Sequence, residues 1–119
     1  MTEPLSDAAK VARLDELVSH LWMVRTFLKH CEEAEEDEEL CEVHRDLYDF
    51  MLAIGGPASE NDDAGYLKAA KKKLKRIKAA TKLFLEIQPE ISTHTNFQMC
   101  VTSLKTVVQE IESIITAGK

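Results

Sequence analysis

Two histidines and two cysteines fall close together at His30, Cys31, Cys41 and His44, and neutral imidazole with thiolate is the donor set of zinc. The spacing does not support a closed site. On a helix Cys31 falls on the apolar stripe, and the adjacent His30 then points about 100° away. The four residues are therefore read as buried thiols and surface imidazoles, with no metal expected. A carboxylate-bridged di-metal bundle would need Glu-x-x-His pairs facing inward, but the residues three before His20, His30, His44 and His94 are Leu17, Phe27, Cys41 and Ile91. No G-x-x-x-x-G-K-[ST], G-x-G-x-x-G or G-x-S-x-G occurs, which removes the main phosphate-cradle and nucleophile-elbow signals. Nothing marks a cysteine as an activated nucleophile beside a base.

A second chemistry is electrostatic. Residues 68–82 carry eight bases and no acid, among them Lys68, Lys71, Lys72 and Lys75, the candidate anion-binding residues. Residues 32–39, EEAEEDEE, carry seven acids in eight positions. No aromatic residue interrupts the basic run, so a stacking platform for bases is missing. Together with a formal net charge of −6, this argues against a nucleic-acid partner. The basic run is read as a solvated face that meets carboxylates along its sides, such as Glu42, Asp46 and Asp49, or those of a neighbouring subunit.

The elements that position these residues are legible in the spacing of apolar side chains. Four segments repeat them every three or four residues, and the predicted helices span about 7–31, 39–54, 65–87 and 95–117. The first runs from Val11 through Leu14, Leu17, Leu21, Val24 and Leu28 to Cys31, with Ser6 as its cap. The second runs from Leu40 through Val43, Leu47 and Phe50 to Ile54 and is expected to stop at Gly55-Gly56-Pro57. The third runs from Leu67 to Leu85 and is expected to end before Pro89. The fourth runs from Phe97 to Ile115, finishing near Gly118. A turn is expected within residues 32–39. Trp22, beside Met23, is assigned to the core or to a subunit interface.

No period-2 alternation argues for a sheet. The expected fold is all-α, an antiparallel up-down four-helix bundle forming a single domain over residues 1–119. At 119 residues and 45% hydrophobic content, one core is affordable and a second is not. No stretch approaches the roughly 18–20 apolar residues of a membrane span. Met1–Lys10 lacks the apolar core of a signal peptide, and three cysteines are an odd number for a disulfide framework. A cytoplasmic protein with free thiols is expected.

The helices in series resemble those of the PduO-type ATP:cob(I)alamin adenosyltransferases. Leu14-Asp15-Glu16-Leu17-Val18 resembles the family's T-x-D-E-L-x-x-x-I-G. Leu40 to Phe50, followed by Ala53-Ile54-Gly55-Gly56-Pro57, resembles its L-x-x-I-Q-x-x-L-F-D-L-G-A-x-L-A-T-P. Lys105 to Glu112, KTVVQEIE, resembles its R-x-V-C-R-R-A-E. The resemblance covers residues 12–115 and implies a ferritin-like, adenosyltransferase-like bundle that assembles as a trimer.

Departures from the family pattern bear on catalysis. The T-G-D-x-G-x-T loop that holds ATP phosphates has no counterpart in Met1–Lys10. The paired arginines of the fourth helix fall at Gln109 and Glu110, and the turn before that helix, Ile91 to Asn96, has no glycine. The family's further C-terminal helix has no residues left to form it. An anion needs cationic donors, and an amide with a carboxylate reverses that. Asp15, Lys105 and Glu112 remain as candidate catalytic residues without a phosphate clamp. The resemblance thus implies a scaffold that has lost catalysis and keeps an interaction or ligand-holding role in a homo-oligomer. No cofactor is expected, and cobalamin or ATP enters only with residual family activity.

Overall fold

The computed structural model describes residues 5–117. These form five helices: α1 (Asp7–His30), α2 (Glu33–Glu36), α3 (Glu38–Ser59), α4 (Asp63–Ile91) and α5 (Thr95–Thr116). No strand occurs among the described residues, so the chain is an all-α helical bundle. α1 packs against α3 and α5, and α4 packs against the same two helices. The apolar stripes meet between them. Leu14, Leu21 and Leu28 of α1, Val43, Leu47 and Phe50 of α3, Ile77 and Phe84 of α4, and Leu104 and Ile111 of α5 are all at most 1% exposed. Burial of each such side chain stabilises the fold by about 1.5–3 kcal/mol. α1 and α5 run antiparallel, because Arg13 meets Glu110 near one end and Phe27 meets Phe97 near the other. The Phe27 and Phe97 rings pack edge to face, with centroids 5.3 Å apart.

Two helix ends lie beyond their expected positions. α3 runs through Gly55, Gly56 and Pro57 to Ser59. It stops at Asn61, whose φ of 55° is left-handed, where the backbone nitrogens of Asn61 and Asp62 donate to the carbonyls of Ala58 and Pro57. This pair of reversed bonds is a Schellman closure, with asparagine in the place usually held by glycine. α4 likewise runs through Pro89 to Ile91 rather than ending near residue 87. Each proline sits in a last turn, where its missing N–H removes one bond at the end of the ladder rather than breaking the helix in the middle. The Gly118 stop expected for the last helix lies outside the described residues, as does the start of the N-terminal segment, residues 1–4.

The acidic run is divided by two turns. The chain bends at Cys31 and Glu32, forms the single-turn α2 around buried Ala34, and enters α3 through Asp37. Asp37 Oδ1 accepts the Leu40 N–H at 2.9 Å, an N-cap. Ser6 caps α1 through the Ala9 N–H at 3.1 Å, and Asp62 caps α4 through the Gly65 N–H at 3.0 Å. No helix among the described residues is long and apolar enough to cross a membrane.

Candidate functional site

The candidate catalytic residues separate into two places. Asp15, on the exposed side of α1, accepts the Tyr66 hydroxyl of α4 at 2.8 Å. Lys105 and Glu112 line a groove of about 230 Å³ between α4 and α5, together with Gln109, Lys78 and Lys82. Glu112 is paired with Lys78 across that groove. Glu110, at the second of the positions where the family pattern has arginine, faces α1 instead, where Arg13 Nε donates to it at 3.2 Å. Arg13 also reaches Glu16 at 2.9 Å. The hydrogen bond and charge of Glu110 raise the already high Arg13 pKa further. Asp15, Glu110 and Glu112 are thus each engaged by a side chain from another helix.

The four metal candidates do not converge. Cys31 Sγ donates to the Leu28 carbonyl at 3.1 Å and Cys41 Sγ to the Ala34 carbonyl at 2.8 Å. His30 is exposed and His44 half-buried. Among the described residues no group of three or more His, Cys, Asp or Glu side chains is placed to hold a metal ion. Burial raises the Cys31 thiol above its ordinary range and pushes that of Cys100 up to about 12. Neither is an activated thiolate.

Of the four anion-binding candidates, Lys72 and Lys75 line a groove of about 520 Å³ between α3 and α4, with Lys73, Arg76, Glu42 and Asp46. Lys68 and Lys71 do not line it. Arg76 reaches Asp46 at 3.7 Å and Asp49 at 3.9 Å, so the lateral carboxylates expected to answer the basic run do so for this residue. Burial raises the Asp46 carboxyl above its usual range, against the pull of Arg76.

Trp22 is not in the core. It is 47% exposed and Met23 is 67% exposed, both on the outside of α1. Met23, Phe27 and Met99 border a shallow apolar depression of about 350 Å³ between α1 and α5, and Met99 is 64% exposed. On the other flank of α1, the Arg25 guanidinium lies 5.0 Å from the Trp22 ring centroid and 4.5 Å from that of Tyr48 on α3. Sequence reasoning passed over this stack. The Trp22–Arg25 spacing of three residues is a helical neighbour signal, but the second ring comes from another helix.

Compared with known proteins, the chain matches no family model, no curated protein and no solved structure.

Proposed function

We propose that this chain is a non-catalytic bundle of the cobalamin adenosyltransferase type, its four long helices running up and down in turn, that assembles with copies of itself and serves as an interaction or ligand-holding protein. The observation that carries self-association is the apolar outer surface of α1 and α5, where Met23 and Met99 are 67% and 64% exposed beside Phe27. Contiguous apolar surface on a small protein marks an interaction site. The trimeric state comes from the family resemblance, and a cytoplasmic location fits the same reading. The loss of catalysis is supported by the internal bonds of Asp15, Glu110 and Glu112, which engage these carboxylates with side chains of other helices, and by Gln109 and Glu110 standing where the family pattern has its paired arginines. Sedimentation velocity tests the assembly. A mass three times 13.4 kDa is expected, and a single 13.4 kDa species at high concentration overturns it.

The groove holding Lys72, Lys73 and Lys75 supports a second reading, an anionic partner bound along α4. Its affinity falls steeply with salt if phosphate or carboxylate contacts dominate. The enzymatic alternative, residual ATP-dependent corrinoid chemistry at Asp15, Lys105 and Glu112, rests on the resemblance. Calorimetry with ATP and with cobalamin tests it, and no heat with either ends it.

A further inference from the structure

The Arg25 guanidinium lies against two aromatic rings, 5.0 Å from the Trp22 centroid and 4.5 Å from that of Tyr48. Its Nε is buried and has no hydrogen-bond partner, although buried donors are almost always paired. Trp22 and Tyr48, which hold it, are 47% and 37% exposed. Lys29 lies one turn further along α1, and Arg45 stands on α3. The charges of Arg25, Arg45 and Lys29 all bear on the half-buried imidazole of His44 and, with burial as the larger cause, lower its pKa. Arg25, Lys29 and Arg45 take no part in the ion pairs of Arg13, Arg76 and Lys78. A guanidinium immobilised by stacking presents a planar fork suited to a carboxylate. Trp, Tyr and Arg are also the residues that dominate protein interfaces. The cations thus make a rigid receiving site that one copy of the chain leaves incomplete.

The same chain carries the missing acceptors. Glu32, Glu33, Glu35, Glu36, Glu38 and Glu39 take part in none of those ion pairs, and Glu35 and Glu36 are exposed on α2. We propose that the Trp22–Arg25–Tyr48 stack, with Lys29 and Arg45, receives carboxylates from the acidic run, residues 32–39, of a second copy of this chain. The proposal rests on the self-association reading and assigns it a polar contact on α1 and α3, separate from the apolar α1–α5 surface. The occupant is argued from charge complementarity. Seven acids are concentrated in eight positions, and neither they nor Arg25, Lys29 and Arg45 take part in the ion pairs above. A contact between two different surfaces is heterologous and closes into a ring when the rotation permits, so a cyclic trimer satisfies every site. Exposed Leu52, one turn after Tyr48 on α3, adds apolar area beside the charges.

Charge reversal tests this in the full-length chain. By sedimentation velocity, Arg25→Glu with Lys29→Glu is expected to weaken assembly roughly tenfold or more, as is Glu35→Lys with Glu36→Lys. All four residues lie on the surface or at its edge, and circular dichroism verifies that each variant keeps its helix. The chain carrying all four reversals is expected to regain assembly, because attraction is restored with the signs exchanged. Wild-type chain that assembles while both double variants assemble equally well overturns the contact and leaves self-association standing. Failure of the fourfold variant to regain assembly, with its helix intact, also overturns the contact. A monomeric wild type overturns both.

Discussion

The Tyr66 hydroxyl donates to Asp15 Oδ1 at 2.8 Å, tying the start of α4 to α1. The ring is 1% exposed, so the one polar atom of a core side chain reaches out to a carboxylate at the surface. Tyr66→Phe removes the bond but leaves the ring volume, and Asp15 regains water. The expected loss in urea unfolding at neutral pH is about 1 kcal/mol. Burial first, then the bond and charge of Asp15, hold the phenol proton on far more tightly than in a free tyrosine. A pKa raised by folding contributes stability below the unfolded value that is lost as pH rises. The wild type should therefore weaken above about pH 10, where an unfolded tyrosine ionises. Tyr66→Phe should lack that part of the alkaline loss, and a common slope for the two proteins above that pH would contradict it.

Glycine substitutions should separate by position. A Cβ at Gly55 or Gly56 meets nothing within 4 Å, and both lie inside α3. Alanine at either should stabilise by about 0.5–1 kcal/mol, through a smaller backbone entropy loss. At Gly65 an added Cβ would fall 2.2 Å from Asp62 Oδ2, the carboxylate that caps α4. Gly65→Ala is expected to displace that cap and cost about 1 kcal/mol. Thermal unfolding of the three variants checks the opposite signs.

The apolar stripes were legible because a period of 3.6 is a local property: Leu14, Leu47, Ile77 and Leu104 lie where their spacing puts them. The end of α3 was not. Gly55-Gly56-Pro57 carries every local stop signal, yet an uncapped glycine inside a helix is only a modest cost when Phe50 and Ile54 beside it are buried. Asn61 stops the helix, and its role depends on two backbone bonds that only the folded turn provides. The site residues divide similarly. Asp15 and Glu112 are recognisable acids, but Tyr66 and Lys78 reach them from another helix. The Arg25 stack was invisible for the same reason, since Tyr48 completes it from α3.

Asn61 gives a direct test of that stop. At φ 55° a residue with a Cβ that cannot hydrogen-bond locally is strained by roughly 1–2 kcal/mol. Asn61→Ala should lose about 1 kcal/mol, whereas Asn61→Gly should match or exceed the wild type. Equal losses in the two variants would show that the asparagine side chain, rather than the left-handed backbone, matters at this position.

The three free thiols should react in a set order. Cys100 is 8% exposed, and burial pushes its thiol up to about 12, so little thiolate exists in the native chain. Cys31 and Cys41 are half-buried. With iodoacetamide near pH 8, mass spectrometry should find Cys100 labelled last, with all three labelled at similar rates once urea unfolds the chain.

Met23 and Met99 separate assembly from folding. Both project outward, 67% and 64% exposed, so neither contributes much to the core of a single copy. Replacing the two with serine should change the unfolding free energy of the isolated chain by no more than about 0.5 kcal/mol each. Any copy-to-copy contact through this surface would instead lose two flexible apolar anchors, worth about 1 kcal/mol or more apiece at an interface centre. The expected result is a chain equally resistant to urea under dilute conditions but lighter by sedimentation. A drop in stability with assembly unchanged would place these side chains in the fold rather than in a contact. Loss of assembly here with none in the Arg25 and Lys29 reversals would make the α1–α5 surface, instead of the α1–α3 cation site, the interface.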